Sequence, residues 1–159
     1  MLVIGHRGAA AAHPENTLAA FRLGAGLGWR AFECDVKLSA DGVPFLLHDA
    51  TLERTTDGSG RADGQTWREL SQLDAGAWHS PAYAGEPLPT LDNIAAFCHA
   101  SGHALNIEIK PTPGVLRRTG EALRPGITTD EVDRIAHAMY IERDSYPSTL
   151  NYHGYQKSL

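Results

Sequence analysis

The 159-residue chain has no run of about 18 apolar residues, so no segment of it reads as a membrane-spanning helix. No basic segment precedes Met1-Leu2-Val3-Ile4, and a secretory signal is therefore not expected. Positive charge is scarce. The 14 Lys and Arg are outnumbered by 19 Asp and Glu, a net charge of −5, which leaves no basic stripe for a nucleic acid. Cysteine is nearly absent. Cys34 and Cys98 sit in apolar patterns and are expected as free buried thiols in a reducing cytoplasm, not as a disulfide or zinc pair. Internal repeats are lacking as well.

What is present suits a globular protein with one well-buried domain, with 42% hydrophobic and 21% charged residues. Its information is concentrated in a few short strand-like segments. These are Val3-Ile4-Gly5-His6-Arg7-Gly8, Phe32-Glu33-Cys34-Asp35-Val36, Phe45-Leu46-Leu47-His48-Asp49 and Asn106-Ile107-Glu108-Ile109-Lys110. Alternate side chains of a strand share a face. Glu33 and Asp35 therefore point together, as do Asn106, Glu108 and Lys110, while Phe32, Cys34, Val36, Ile107 and Ile109 take the opposite side. Buried carboxylates are costly unless paired or bound to metal. Three of them, gathered at strand ends with a lysine, an arginine and two histidines, call for a cation and an anionic substrate.

Between the strands the pattern is helical or turn-rich. Leu18, Phe21 and Ala25 have helical spacing that ends at Gly26 and Gly28. Ser39-Ala40-Asp41-Gly42 is a hairpin-type turn. Residues 50–90 lack periodicity apart from a short helical piece at 66–73, and read as a loop-rich insertion. Thr90-Leu91-Asp92-Asn93 opens a helix with Leu91, Ile94 (or Ala95) and Cys98 inward, closed by Gly102, before a strand over 104–109. Strand–helix alternation with polar groups at strand ends is the pattern of a parallel α/β architecture.

Pro111-Thr112-Pro113-Gly114 interrupts this pattern and coincides with a change in charge. Residues 1–114 carry 8 Lys/Arg against 13 Asp/Glu, and residues 115–159 carry 6 against 6. The division predicts two units, 1–114 and 115–159. In the second, a short helix is expected at 117–123. Another follows Thr128-Thr129-Asp130-Glu131, with Val132, Ile135, Ala136 and Met139 as its apolar stripe.

Over residues 2–113 the chain resembles the glycerophosphodiester phosphodiesterase family. The resemblance lies in Gly5-His6-Arg7-Gly8, Pro14-Glu15-Asn16-Thr17, Glu33-Cys34-Asp35-Val36, Leu47-His48-Asp49, Glu86-Pro87-Leu88-Pro89-Thr90-Leu91 and Asn106-Ile107-Glu108-Ile109-Lys110-Pro111. It implies a TIM (β/α) barrel, here partial, with about four parallel strands and a loop-rich insertion, followed by a short helical tail. It also implies hydrolysis of glycerophosphodiesters to an alcohol and glycerol 3-phosphate with a divalent cation. Glu33, Asp35 and Glu108 are then the metal ligands, and their oxygens suit Mg²⁺ or Ca²⁺. His6 and His48 are the implied acid–base pair, with the substrate's own glycerol hydroxyl attacking phosphorus to give a cyclic phosphate that water opens. Arg7 and Lys110 are expected on the phosphate, although Lys110 could instead offset Glu108. Glu15 and Asn16 either bind substrate or anchor the first loop.

Residues 115–159 resemble the N-terminal part of a type I methionine aminopeptidase, through Leu123-Arg124-Pro125-Gly126-Ile127-Thr128-Thr129-Asp130-Glu131 and Tyr146-Pro147-Ser148-Thr149-Leu150-Asn151-Tyr152. None of that family's metal ligands falls within the chain. Besides the small-molecule hydrolase, two other readings follow. One is a non-enzymatic half-barrel remnant or fusion product that self-associates through an open barrel edge. The other is methionine aminopeptidase activity.

Overall fold

A computed structural model describes residues 3–110. The 111–114 break, the helices expected at 117–123 and around 132–139, and the whole unit 115–159 lie outside the described residues. The described elements are β1 (Ile4–Gly5), α1 (Leu18–Gly26), β2 (Ala31–Leu38), β3 (Pro44–Leu46), α2 (Trp67–Leu70), α3 (Leu91–Ser101) and β4 (Ala104–Ile109).

Strand β2 organises the sheet. Along one edge β4 pairs with it in parallel, from Ala31↔Ala104 to Val36↔Ile109. The other edge is shared. Parallel β1 meets its start at Ile4↔Ala31, and β3 meets its end at Val36↔Leu46. β3 runs antiparallel, so the described sheet has three parallel strands where about four were expected. The tight turn before β3 is the reason, because a connection this short can only send the chain back alongside itself. Ser39 Oγ secures the turn by donating to Asp41 Oδ1 at 2.6 Å and accepting from the Val43 N–H at 2.8 Å.

The helices begin and end where their caps dictate. Thr17 starts α1, its hydroxyl accepting from the Ala20 N–H and donating to the Pro14 carbonyl. Thr90 and Asn93 form a reciprocal capping box at the start of α3, and Gly102 ends it in the left-handed conformation (φ 66°). α3 turns Leu91, Ile94 and Cys98 inward, Ile94 rather than Ala95 taking the core position. These side chains pack with Phe21 of α1, with Phe32, Cys34 and Val36 of β2, and with Leu46 of β3. A Cβ at Gly24 would lie 2.5 Å from the Phe32 ring, so glycine lets α1 approach the sheet closely. Both cysteines are free and buried.

The insertion has little regular structure, only α2 and two 3-10 turns at Ala62–Gly64 and Pro81–Tyr83. It nevertheless has its own apolar cluster, with Phe45 and Leu47 meeting Leu52, Ala62, Leu70 and Leu88. The alternation around β3 thus divides two cores, Leu46 entering the first and its neighbours the second. No helix among the described residues is long and apolar enough to cross a membrane.

Candidate active site

All eight residues of β2 are buried, yet its two faces differ in kind. Opposite the core face stand Glu33, Asp35 and Lys37. The parallel register sets Glu33 beside Asn106 and Asp35 beside Glu108. Carboxylate oxygens of Glu33, Asp35 and Glu108 consequently lie within 4.8 Å of one another, the first two residues buried and the third exposed.

Asp35 has no solvent exposure and faces three nitrogen groups, while its Oδ1 makes no hydrogen bond among the described residues. Its Oδ2 lies 2.9 Å from Arg7 Nε and accepts from Asn16 Nδ2 at 2.9 Å, and its Oδ1 lies 3.1 Å from Lys110 Nζ. Glu33 is less well matched. Its Oε2 accepts from the Arg7 backbone N–H at 3.0 Å and lies 3.8 Å from His6 Nε2. Its Oε1 is buried with no hydrogen-bond partner among the described residues. Burial above all, and then the nearby Asp35 charge, push the Glu33 carboxyl up to about 7. Three converging carboxylates facing two cations, two of their oxygens (Glu33 Oε1 and Asp35 Oδ1) buried without a hydrogen bond among the described residues, fit a divalent cation with hard oxygen ligands. Glu33, Asp35 and Glu108 are the residues that would hold it.

The loop after β1 is shaped to bring Arg7 there. Arg7 takes up a left-handed backbone conformation (φ 53°), unusual for a residue with a long side chain and costing about 1–3 kcal/mol. Gly8 follows at φ 76°, where a Cβ would lie 2.8 Å from Ala20 of α1. The turn directs the Arg7 N–H onto Glu33 and its guanidinium onto Asp35 and Glu15, with Nη1 donating to Glu15 Oε1 at 3.0 Å. Asn16 (φ 56°) locks the loop from its far end. Its side chain donates to the Asp35 carboxylate and accepts from the Asp35 N–H at 3.2 Å, while its own N–H donates to the Arg7 carbonyl. Through these contacts Glu15 and Asn16 hold the first loop against β2. Lys110 pairs with Glu108 at 2.7 Å as well as with Asp35.

His6 stands exposed at the end of β1, its side chain 67% accessible. His48 follows β3, on a segment held to β2 by the Leu47 N–H donating to the Asp35 carbonyl at 3.1 Å. Its Nδ1 lies 2.6 Å from Asp49 Oδ1. His48, Glu15, Asn16 and Thr55 line one shallow hollow.

Two participants escaped the sequence reading. Lys37 is buried on the site face of β2, and burial, then the Lys110 charge, lower its affinity for a proton. Arg54, from the insertion, bridges Asp49 and Glu15. Strand parity could have singled out Lys37. Nothing in the sequence marks Arg54 except its place five residues after Asp49. His13, in the loop after β1, bonds the Tyr83 hydroxyl of the insertion at 3.1 Å.

A glycerophosphodiester phosphodiesterase from Caldanaerobacter subterraneus subsp. tengcongensis is 38% identical over 142 residues, covering 89% of this chain and 55% of that protein. An Oleispira antarctica phosphodiesterase, solved in complex with the product sn-glycerol-3-phosphate, superposes with a TM-score of 0.75 at 40% identity, over 82% of this chain and 54% of that one. A glycerophosphodiester phosphodiesterase from Agrobacterium tumefaciens gives 0.67 at 38% identity, over 70% and 47%. The chain thus spans roughly half the length of these relatives. The model of the glycerophosphoryl diester phosphodiesterase family matches residues 6–144, most of the chain, and the protein belongs to that family.

Proposed function

We propose that the chain hydrolyses glycerophosphodiesters to an alcohol and glycerol 3-phosphate with the help of a divalent cation, Mg²⁺ or Ca²⁺. The observation that carries this reading is the Glu33, Asp35 and Glu108 cluster, with two buried oxygens that make no hydrogen bond among the described residues, inside a chain of this family. A bound cation would supply positive charge to offset the negative charge of the phosphodiester and of the departing alkoxide. His6 and His48 exchange the protons. One takes a proton from the attacking hydroxyl, and the other gives one to the leaving oxygen. Arg7 holds Nε 2.9 Å from Asp35 Oδ2 and donates Nη1 to Glu15, which leaves Nη2 for a phosphate oxygen. Lys110, fixed by Asp35 and Glu108, adds a second positive charge. The two buried thiols suit a reducing compartment such as the cytoplasm.

The test is release of glycerol 3-phosphate from glycerophosphocholine by the purified chain with Mg²⁺ or Ca²⁺. His6→Ala and His48→Ala are each expected to lower the rate by about 100-fold or more. Rates unchanged in both variants would remove the histidines from the chemistry. A second reading draws on the sheet edge, because the outer edge of β4 pairs with no strand among the described residues. In that reading the chain is a non-enzymatic half-barrel that self-associates there. A monomer on size-exclusion with measurable turnover excludes it.

A further inference from the structure

The geometry points to Arg54 as a positioning residue for His48, acting through Asp49. This inference rests on the reading of His48 as an acid–base group.

Arg54 belongs to the insertion, but its guanidinium engages two carboxylates from other segments. Nε and Nη2 donate to the two oxygens of Asp49, while Nη1 and Nη2 donate to Glu15 at 2.9 and 2.8 Å. Each partner holds another site residue. Asp49 Oδ1 lies 2.6 Å from His48 Nδ1, and Glu15 Oε1 accepts from Arg7. One planar fork therefore ties the histidine segment after β3 to the arginine loop after β1. Stability alone is a poor account of it, since partly exposed ion pairs contribute only about 0–1 kcal/mol.

The consequence for His48 follows from donor and acceptor chemistry. An ionised carboxylate only accepts, so the proton between Asp49 and His48 resides on Nδ1. That leaves Nε2 to exchange protons with substrate, the arrangement a hydrogen-bonded carboxylate gives a working histidine. Arg54 fixes the Asp49 carboxylate at both oxygens, and the fixed carboxylate sets the plane of the imidazole.

The experiment uses the full chain labelled with ¹⁵N-histidine, with His48 assigned by comparison with His48→Gln. In the wild type the neutral ring is expected in the Nδ1–H form. In Asp49→Asn, Arg54 holds the amide oxygen and turns the NH₂ toward His48, so the ring changes to the Nε2–H form. Adding Arg54→Met frees the amide to rotate and restores Nδ1–H. A double variant that keeps the tautomer of Asp49→Asn overturns the proposal. So does a wild type already in the Nε2–H form.

Kinetics supply the second readout. Arg54→Met is expected to lower kcat about 10- to 100-fold with KM within about twofold, Arg54→Lys recovering part of the loss. A raised KM with unchanged kcat would instead place Arg54 on the substrate and overturn the positioning role. Arg54 is 44% exposed, so its substitution leaves the core intact. If the wild type itself releases no glycerol 3-phosphate, the proposed function fails, and the tautomer measurement still decides whether Arg54 governs His48.

Discussion

The two faces of β2 are equally buried and do opposite things. Phe32, Cys34 and Val36 have no solvent exposure and close the main apolar cluster with α1 and α3. One residue away in each case, Glu33, Asp35 and Lys37 are 8%, 0% and 3% exposed and bring charge into the same layer. Burial favours the first set, at about 25 cal/mol per Å² of apolar surface. It opposes the second unless each charge finds a partner. The contrast goes further within the charged face. Asp35 has a cationic nitrogen within 3.1 Å of each oxygen and Glu33 has no side-chain cation that close, while each residue keeps one buried oxygen without a hydrogen bond among the described residues. The strand stabilises the fold on one side and on the other keeps a charge deficit that suits a cation.

The largest expected effect comes from breaking the apolar face. Phe32→Ala removes a ring that packs on Phe21 at a centroid distance of 5.1 Å, and should destabilise the protein by about 3–5 kcal/mol. The loss should be the same with Mg²⁺ and with EDTA, because the ring lies across the sheet from the carboxylates. Urea unfolding in both buffers checks this, and a loss that depends on Mg²⁺ would mean the faces are not separable.

Next in size is the contrast within the charged face. Asp35→Asn deprives Arg7 and Lys110 of their shared buried partner and should cost about 3 kcal/mol in EDTA, with the Mg²⁺ stabilisation lost in addition when the cation is present. Glu33→Gln neutralises a carboxylate that burial already disfavours. In EDTA its unfolding midpoint should match or exceed that of the wild type. What this variant should lose is the stabilisation by Mg²⁺, about 2.7 kcal/mol for the wild type at a hundredfold excess over Kd. A Glu33→Gln protein that still gains the full Mg²⁺ increment would remove Glu33 from the cation site.

The charged face was legible in the sequence because strand parity requires only the alternation of Phe32, Glu33, Cys34, Asp35 and Val36. β4 occupies the span expected for it, 104–109, and α3 begins and ends at the Thr90 and Gly102 signals, since both are local chemistry. Parity could not reveal the register. It is the pairing of Asp35 with Glu108, not the pattern of either strand, that closes the carboxylate cluster. The insertion was illegible for a different reason. Its order comes from scattered apolar residues, Leu52, Ala62, Leu70 and Leu88, that pack on Phe45 and Leu47 of β3 and its extension, so its own sequence shows no period. Arg54 has no local signature because its partners lie 5 and 39 residues away.

The smallest expected effect tests whether the charges around His48 matter to the fold at all. The Arg54 side chain, and after burial is set against it the bond with His48, hold the Asp49 carboxyl down to about 2 from an ordinary 3.8. Its folded value is the depressed one, so between these values the unfolded chain binds the proton and the folded chain does not. The contribution of Asp49 is therefore complete above pH 3.8 and disappears as pH falls through about 2. Asp49 is partly open to solvent, its side chain 29% exposed, so screening keeps the effect small. Unfolding midpoints of wild type and Asp49→Asn should differ by a constant amount from pH 7 down to about 4, and converge below that. A gap that persists unchanged to pH 2 would assign the stability to packing, leaving the charge of Asp49 with no part in the fold and its orientation of His48 as its remaining role.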